Sequence, residues 1–154
     1  MEMEKAIKEL NHLTDEATKH LLNRVVEKKR KFDRLKHHHF LIMWVTIFSA
    51  FLFFYYLYKT VIFPYSYSFE AMFSSFVNNS LNVYILVITV GLFGFMNVVR
   101  EKRDKAEDEY HALRCEIIDK SKDLWKKENA WETRHIVFEM MKKLYDINLY
   151  HESK

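Results

Sequence analysis

The chain has 154 residues but only two glycines and one proline, where average usage would supply about 11 and about 8. So few turn formers argue against a fold of strands and tight turns, and against a Gly-rich phosphate loop. The net charge of +3 is too small for a nucleic-acid binder's footprint, and one cysteine, Cys115, can form neither an internal disulfide nor a cysteine zinc cluster.

Hydrophobic residues make up 49% and charged residues 29%, yet mean hydropathy is −0.26. The two kinds are segregated along the chain. Much of the apolar content lies in two blocks, which leaves little for a conventional soluble core.

Residues 4–13 read as a short separate helix. Thr14-Asp15-Glu16 is a helix start, with a hydroxyl to cap free amides and acids at the positive end of the dipole. Ala17, Leu21, Val25, Phe32 and Leu35 follow at near-helical spacing. No breaker intervenes, so one helix is predicted from about residue 15 to 58, roughly 65 Å at 1.5 Å per residue.

Its second half, FLIMWVTIFSAFLFFYYLY (40–58), is 19 residues without a charge. LNVYILVITVGLFGFMNVV (81–99) is another 19. About 20 apolar residues cross a hydrocarbon core, so both read as transmembrane helices. The first lies behind 39 largely polar residues and no small-x-small cleavage site follows it, so it reads as an uncleaved span. Between the spans, Phe69, Met72, Phe73, Phe76 and Val77 share one face of a short helix. Ser68 is its predicted cap, and the outer membrane interface is its expected place.

Small residues permit close helix approach in lipid. Ser49 and Ala50 of the first span and Gly91 of the second lie at similar depth, with Gly94 one turn on. An antiparallel crossing is expected there, which Gly91→Leu should disturb.

Lys and Arg counts set the orientation. Residues 19–39 hold eight, residues 100–114 hold five, and the connection 59–80 holds only Lys59. Both termini should be cytosolic. Lys28, Lys29, Arg30, Lys31, Arg34 and Lys36, with Arg100, Lys102 and Arg103, are the expected contacts to lipid headgroups, worth roughly 1 kcal/mol each near an anionic surface.

Beyond the second span Ala106, Tyr110, Leu113 and Ile117 keep a 4-3-4 spacing. Tyr110, Ile117, Leu124, Trp131, Phe138 and Tyr145 continue at sevens, like a coiled-coil seam. Lys120, Lys127 and Arg134 occupy the alternate positions, so the seam is half made. Asn129 with Glu132 is a capping pair. It predicts a break near Lys127 and a last helix from Ala130 to Tyr145, with Trp131, Val137, Phe138, Met141, Leu144 and Tyr145 on its apolar face.

No catalytic motif occurs, and neither span carries an ionisable residue of the kind that marks ion and proton pathways. His37, His38 and His39 point about 100° apart on a helix and cannot share one metal. His12, Glu16 and His20, and the pair His135 and Glu139, are weak ligand patterns. No catalytic residue, metal or cofactor is expected.

EYHALRCEIIDKSKDLW (109–125) and WETRHIVFEMMKKLYDINLY (131–150), with TDEAT (14–18) and KKRKF (28–32), resemble a family of small uncharacterised Bacillus-type two-span membrane proteins, the YpbF-like group. The resemblance implies a bacterial cell-membrane protein and carries over no functional residue. A likeness of architecture alone links it to two-span effectors of bacterial conflict systems, such as SLATT-type domains, which are thought to assemble pores.

The sequence thus predicts an all-α membrane helical hairpin. A cytosolic arm (1–39) and a cytosolic helical region (100–154) flank two spans (40–58, 81–99) and an external aromatic loop (59–80). The expected role is non-enzymatic, a membrane-anchored interaction or scaffold module, with an oligomeric pore or effector as the rival. Expected partners are the bilayer, further copies of the chain and a cytosolic protein, but not nucleic acid.

Overall fold

The computed structural model describes residues 4–10, 14–126 and 128–150, with only the backbone for 128–130. Among these residues every regular element is helical: α1 Lys5–Lys8, α2 Glu16–Leu57, a π-helical turn Tyr58–Ile62, α3 Phe63–Tyr65, α4 Phe69–Asn78, α5 Ser80–Asp119, α6 Ser121–Leu124 and α7 Glu128–Tyr145. The chain divides into two units, Leu35–Arg103 and the pair of segments Met1–Arg34 and Asp104–Lys154.

In the unit of residues 35–103, the helical path runs seven residues past the predicted end of the first span, from Tyr58 to Tyr65. Pro64 cannot donate to the carbonyl four residues back, and the wider turn before it makes room for its ring. As expected, Ser68 caps α4: its Oγ accepts the Ala71 N–H at 3.4 Å. The fully buried Asn82 donates from Nδ2 to the Phe76 carbonyl at 3.1 Å, and Asn79 Nδ2 donates to Tyr56 Oη at 3.4 Å. At the other end His39 Nδ1 and Arg103 Nη1 lie 3.3 Å apart.

The less exposed positions of this unit follow a regular spacing. In α2 they include Ile42, Thr46, Ser49, Phe53 and Tyr56, and in α5 Asn82, Ile85, Thr89, Leu92, Met96 and Val99. Alternating steps of four and three are the seam pattern of closely paired helices.

The other unit has its own core. Asp15, not Thr14, caps α2: its Oδ1 accepts the Thr18 N–H at 3.0 Å. Val25 and Phe32 of the predicted stripe are buried, whereas Thr18 and Leu22 take the places expected of Ala17 and Leu21. The buried stripe runs through Thr18, Leu22, Val25 and Phe32, with Lys19, Asn23 and Val26 beside it, while Ala17 is exposed. A stripe this wide is covered from two sides. From α1, Ile7 is buried and Glu4 N–H donates to Asn23 Oδ1 at 3.1 Å. Residues 11–13, with His12 of the weak ligand pattern, lie outside the described residues.

Ala106, Tyr110, Leu113 and Ile117 are all buried, as their spacing predicted. The seven-residue frame then stops. α5 ends at Asp119, eight residues before the expected break, and Trp125 is buried in place of the half-buried Leu124. Trp125 packs edge-on against Phe138 at 5.5 Å, and Phe138 against Tyr150 at 5.4 Å. α7 starts at Glu128, two residues earlier than expected, and the side chain of Asn129 lies outside the described residues. Val137, Phe138 and Met141 face the core, whereas Trp131 and Leu144 are exposed. After α7 the chain reverses at Asp146 (φ 56°), the Ile147 N–H donates to the Met141 carbonyl at 3.2 Å, and Ile147 and Leu149 are buried.

Met141→Ala should therefore destabilise this unit by about 2–5 kcal/mol. Leu144→Ala, three residues on but exposed, should stay within about 0.5 kcal/mol. Denaturant titration of the full chain in micelles, followed by tryptophan fluorescence, checks the contrast.

Candidate functional site

The basic run of α2 is the densest group of charged side chains for which the sequence suggested a role. Its register is fixed by Phe32, which is buried and stacks on Tyr110 of α5 with centroids 6.3 Å apart and planes 6° from parallel. One turn earlier, Lys29 is drawn into the same seam. Its Nζ lies 3.3 Å from Asp33 and 3.4 Å from Asp146. It also sits 5.8 Å and 5.6 Å from the Phe32 and Tyr110 ring centroids. Burial lowers the Lys29 pKa, but Asp33, with Tyr110 and Asp146, outweighs it and the ammonium ends above its ordinary value. Burial in turn raises the Tyr110 phenol, only partly offset by Lys29 and Arg114.

The neighbouring bases are engaged within the same unit. Lys28 and Lys31 both reach Glu109, at 2.7 and 3.5 Å, and the hydrogen bond from Lys28 holds that carboxyl below its ordinary range. Arg30 pairs with Glu4 and lies 5.9 Å from the Tyr145 ring centroid. Lys28, Lys29, Arg30 and Lys31, all expected headgroup contacts, are thus partnered by the protein's own acids and rings. Arg34, Lys36, Arg100 and Lys102 are exposed, and Arg103 faces His39. In sequence Lys36 lies four residues from Phe40 and Arg100 directly follows Val99, whereas Lys28 lies twelve residues from Phe40.

The expected crossing at the glycines is corrected. Ser49 and Ala50 are half-buried, but Gly91 and Gly94 are exposed, and a Cβ on either would meet no heavy atom within 4 Å. Thr89 and Leu92 hold the covered face of α5. Each glycine follows one of them by two residues, about 200° around the helix.

Among the described residues no group of three His, Cys, Asp or Glu side chains could hold a metal. His37 and His38 are exposed, Glu139 pairs with Lys143 at 2.7 Å, and His135 Nδ1 lies 2.8 Å from the Glu132 carbonyl oxygen. Sequence reasoning missed the acids of the junction, Asp33, Glu109 and Asp146. The interleaving of Asp33 at i+4 from Lys29 was the available signal.

The family described as Protein of unknown function (DUF2663) matches residues 21–152. The chain belongs to that family. It is 32% identical over 152 residues to the uncharacterized protein YpbF of Bacillus subtilis (strain 168), covering 99% of this chain and 100% of the relative. No solved structure matches it. The DUF2663 match takes in both uncharged stretches and the Lys29 junction, but begins after α1.

The direction of the Glu109 shift sets a pH dependence. A carboxyl whose pKa falls on folding contributes stability above its unfolded value, and loses it as pH drops through the lowered folded value. The raised Lys29 works the other way: its contribution is present below its ordinary value and lost only in strong alkali. Thermal melts of the full chain should fall between about pH 5 and pH 3. Glu109→Gln should lower the melting temperature at pH 7 and flatten that acid limb.

Proposed function

We propose that the chain is a two-span membrane protein, an antiparallel hairpin with both termini in the cytosol, which anchors a helical interaction module to the membrane. One observation carries this reading. The two uncharged helical stretches are long enough to cross a bilayer, and only 11% of each is buried within the protein. Their outward side chains include Phe48, Phe51, Phe54, Phe93 and Phe95. That surface is matched by lipid and mismatched by water.

Further features support it. The links between His39 and Arg103 and between Tyr56 and Asn79 join opposite ends of the two stretches, as a hairpin requires. Arg34, Lys36, Arg100 and Lys102 sit where cytosolic headgroups would lie, and the connection carries only Lys59. α4 exposes Phe69, Phe73 and Val77, the face an interfacial helix turns to lipid. The described helices of the two flanking segments pack on one another through Phe32, Tyr110, Trp125 and Phe138, as an interaction module's would.

The rival pore needs polar side chains along a face shared between copies. Thr46 and Thr89 instead turn inward and donate to the carbonyls of Ile42 and Ile85, both at 2.8 Å. Asn82 is fully buried. The outward face is aromatic and aliphatic. The full chain in a planar bilayer should therefore give no stepwise conductance at any protein density that leaves the bilayer intact. Reproducible unitary steps, abolished by Thr89→Val, would establish the pore instead.

A further inference from the structure

The polar face of α4 forms a site of its own. Ala71, Ser74, Ser75 and Asn78 follow one another at helical spacing, on the side opposite the aromatic stripe. With Tyr65 before them and Asn79, Ser80 and the apolar Leu81 after, they line an open cup of about 730 Å³. That volume lies within the roughly 300–1,000 Å³ of small-molecule sites.

The chemistry of the lining is specific in what it lacks. Lys59 and Glu70 are the only charged residues from 59 to 99, and neither lines the cup. No cation is there to hold a phosphate or carboxylate, and no acid to hold a metal or amine. The polar groups are hydroxyls and amides, which both donate and accept hydrogen bonds.

Part of this set is fixed and part is open. Asn79 is committed as a wall: its Oδ1 accepts the Leu81 N–H at 3.1 Å and its Nδ2 donates to Tyr56 at 3.4 Å. Asn78 Nδ2 donates to Ser74 Oγ at 3.1 Å, which orients the amide and leaves its carbonyl open. Ser75 and Ser80 contribute further hydroxyls. Tyr65 also lines the cup, and the negative face of an aromatic ring attracts the polarised C–H edge of a sugar.

We propose that this cup binds a neutral hexose, presented either as the headgroup of a glycolipid or as a free saccharide. Vicinal hydroxyls on a pyranose ring match a neutral lining of hydroxyls and amides with one aromatic residue among them. The cup's place at the outer interface rests on the two-span reading. Its chemistry does not.

The test uses the full chain purified in a polyoxyethylene detergent, which carries no sugar to compete. Native mass spectrometry compares glucosyl-diacylglycerol with diacylglycerol and with phosphatidylglycerol. The glucosyl lipid should bind at least about tenfold more tightly than either. Ser75→Phe, which fills the cup, should abolish that preference. The pair Ser74→Ala with Ser75→Ala, which removes hydroxyls without adding bulk, should weaken it at unchanged helicity. Competition by methyl glucoside assigns the site to free saccharides as well, and its failure to compete assigns it to the lipid headgroup. A chain that binds methyl glucoside but does not partition into vesicles keeps the cup and removes the membrane reading. Equal binding of glucosyl-diacylglycerol and diacylglycerol with no methyl glucoside binding, or a preference untouched in both variants, overturns the proposal.

Discussion

Two 19-residue helical stretches without a charge, with their aromatic side chains turned outward, set the terms for the rest of this chain. A large apolar side chain gains about 1.5–3 kcal/mol on leaving water. The protein leaves many of them uncovered, Phe51 and Phe54 among them at 69% and 68% exposure. A lipid surround removes that cost and imposes others. Every backbone polar group must be satisfied within the segment, which a continuous helix does. Hydroxyls must find partners too, and Thr46 and Thr89 find them in the carbonyls four residues back.

Outside these stretches, structure is organised around a lysine. Lys29 is largely covered, which is unfavourable for a cation unless acids come with it. Asp33 comes from the next turn of the same helix. Asp146 comes from the far end of the chain, held in a left-handed conformation that costs a non-glycine residue about 1–2 kcal/mol. That conformation brings its carboxylate to Lys29 and turns Ile147 and Leu149 inward. The aromatic pair Phe32 and Tyr110 completes the junction beneath the ammonium. A run of basic residues thus serves as internal fastening at Lys28–Lys31, while exposed bases remain at Arg34 and Lys36.

Much of this was legible in the sequence. Helical class, the two uncharged stretches, the Ser68 cap and the buried set Ala106, Tyr110, Leu113 and Ile117 follow from periodicity and local capping chemistry. What escaped depends on residues distant in sequence. Whether Lys28 faces lipid or Glu109 depends on a partner 81 residues away. The glycines drew attention by type, yet the covered face was marked instead by Asn82, Ile85, Thr89 and Leu92 at three- and four-residue steps. The break at Lys120 carries no glycine or proline. The burial of Trp125 against Phe138 accompanies it, and a tertiary contact leaves no local signal. The polar cup was equally hidden, because it is the reverse of a face read for its aromatics.

On the proposed topology, residues 40–58 and 81–99 cross a membrane and leave residues 59–80 outside. Single cysteines in a Cys115→Ala background test it directly. In intact cells an impermeant maleimide should modify Ser66→Cys, which is exposed after α3, and leave Lys122→Cys untouched until the membrane is permeabilised. Labelling of both sites alike in intact cells, or of neither before permeabilisation, would contradict the account.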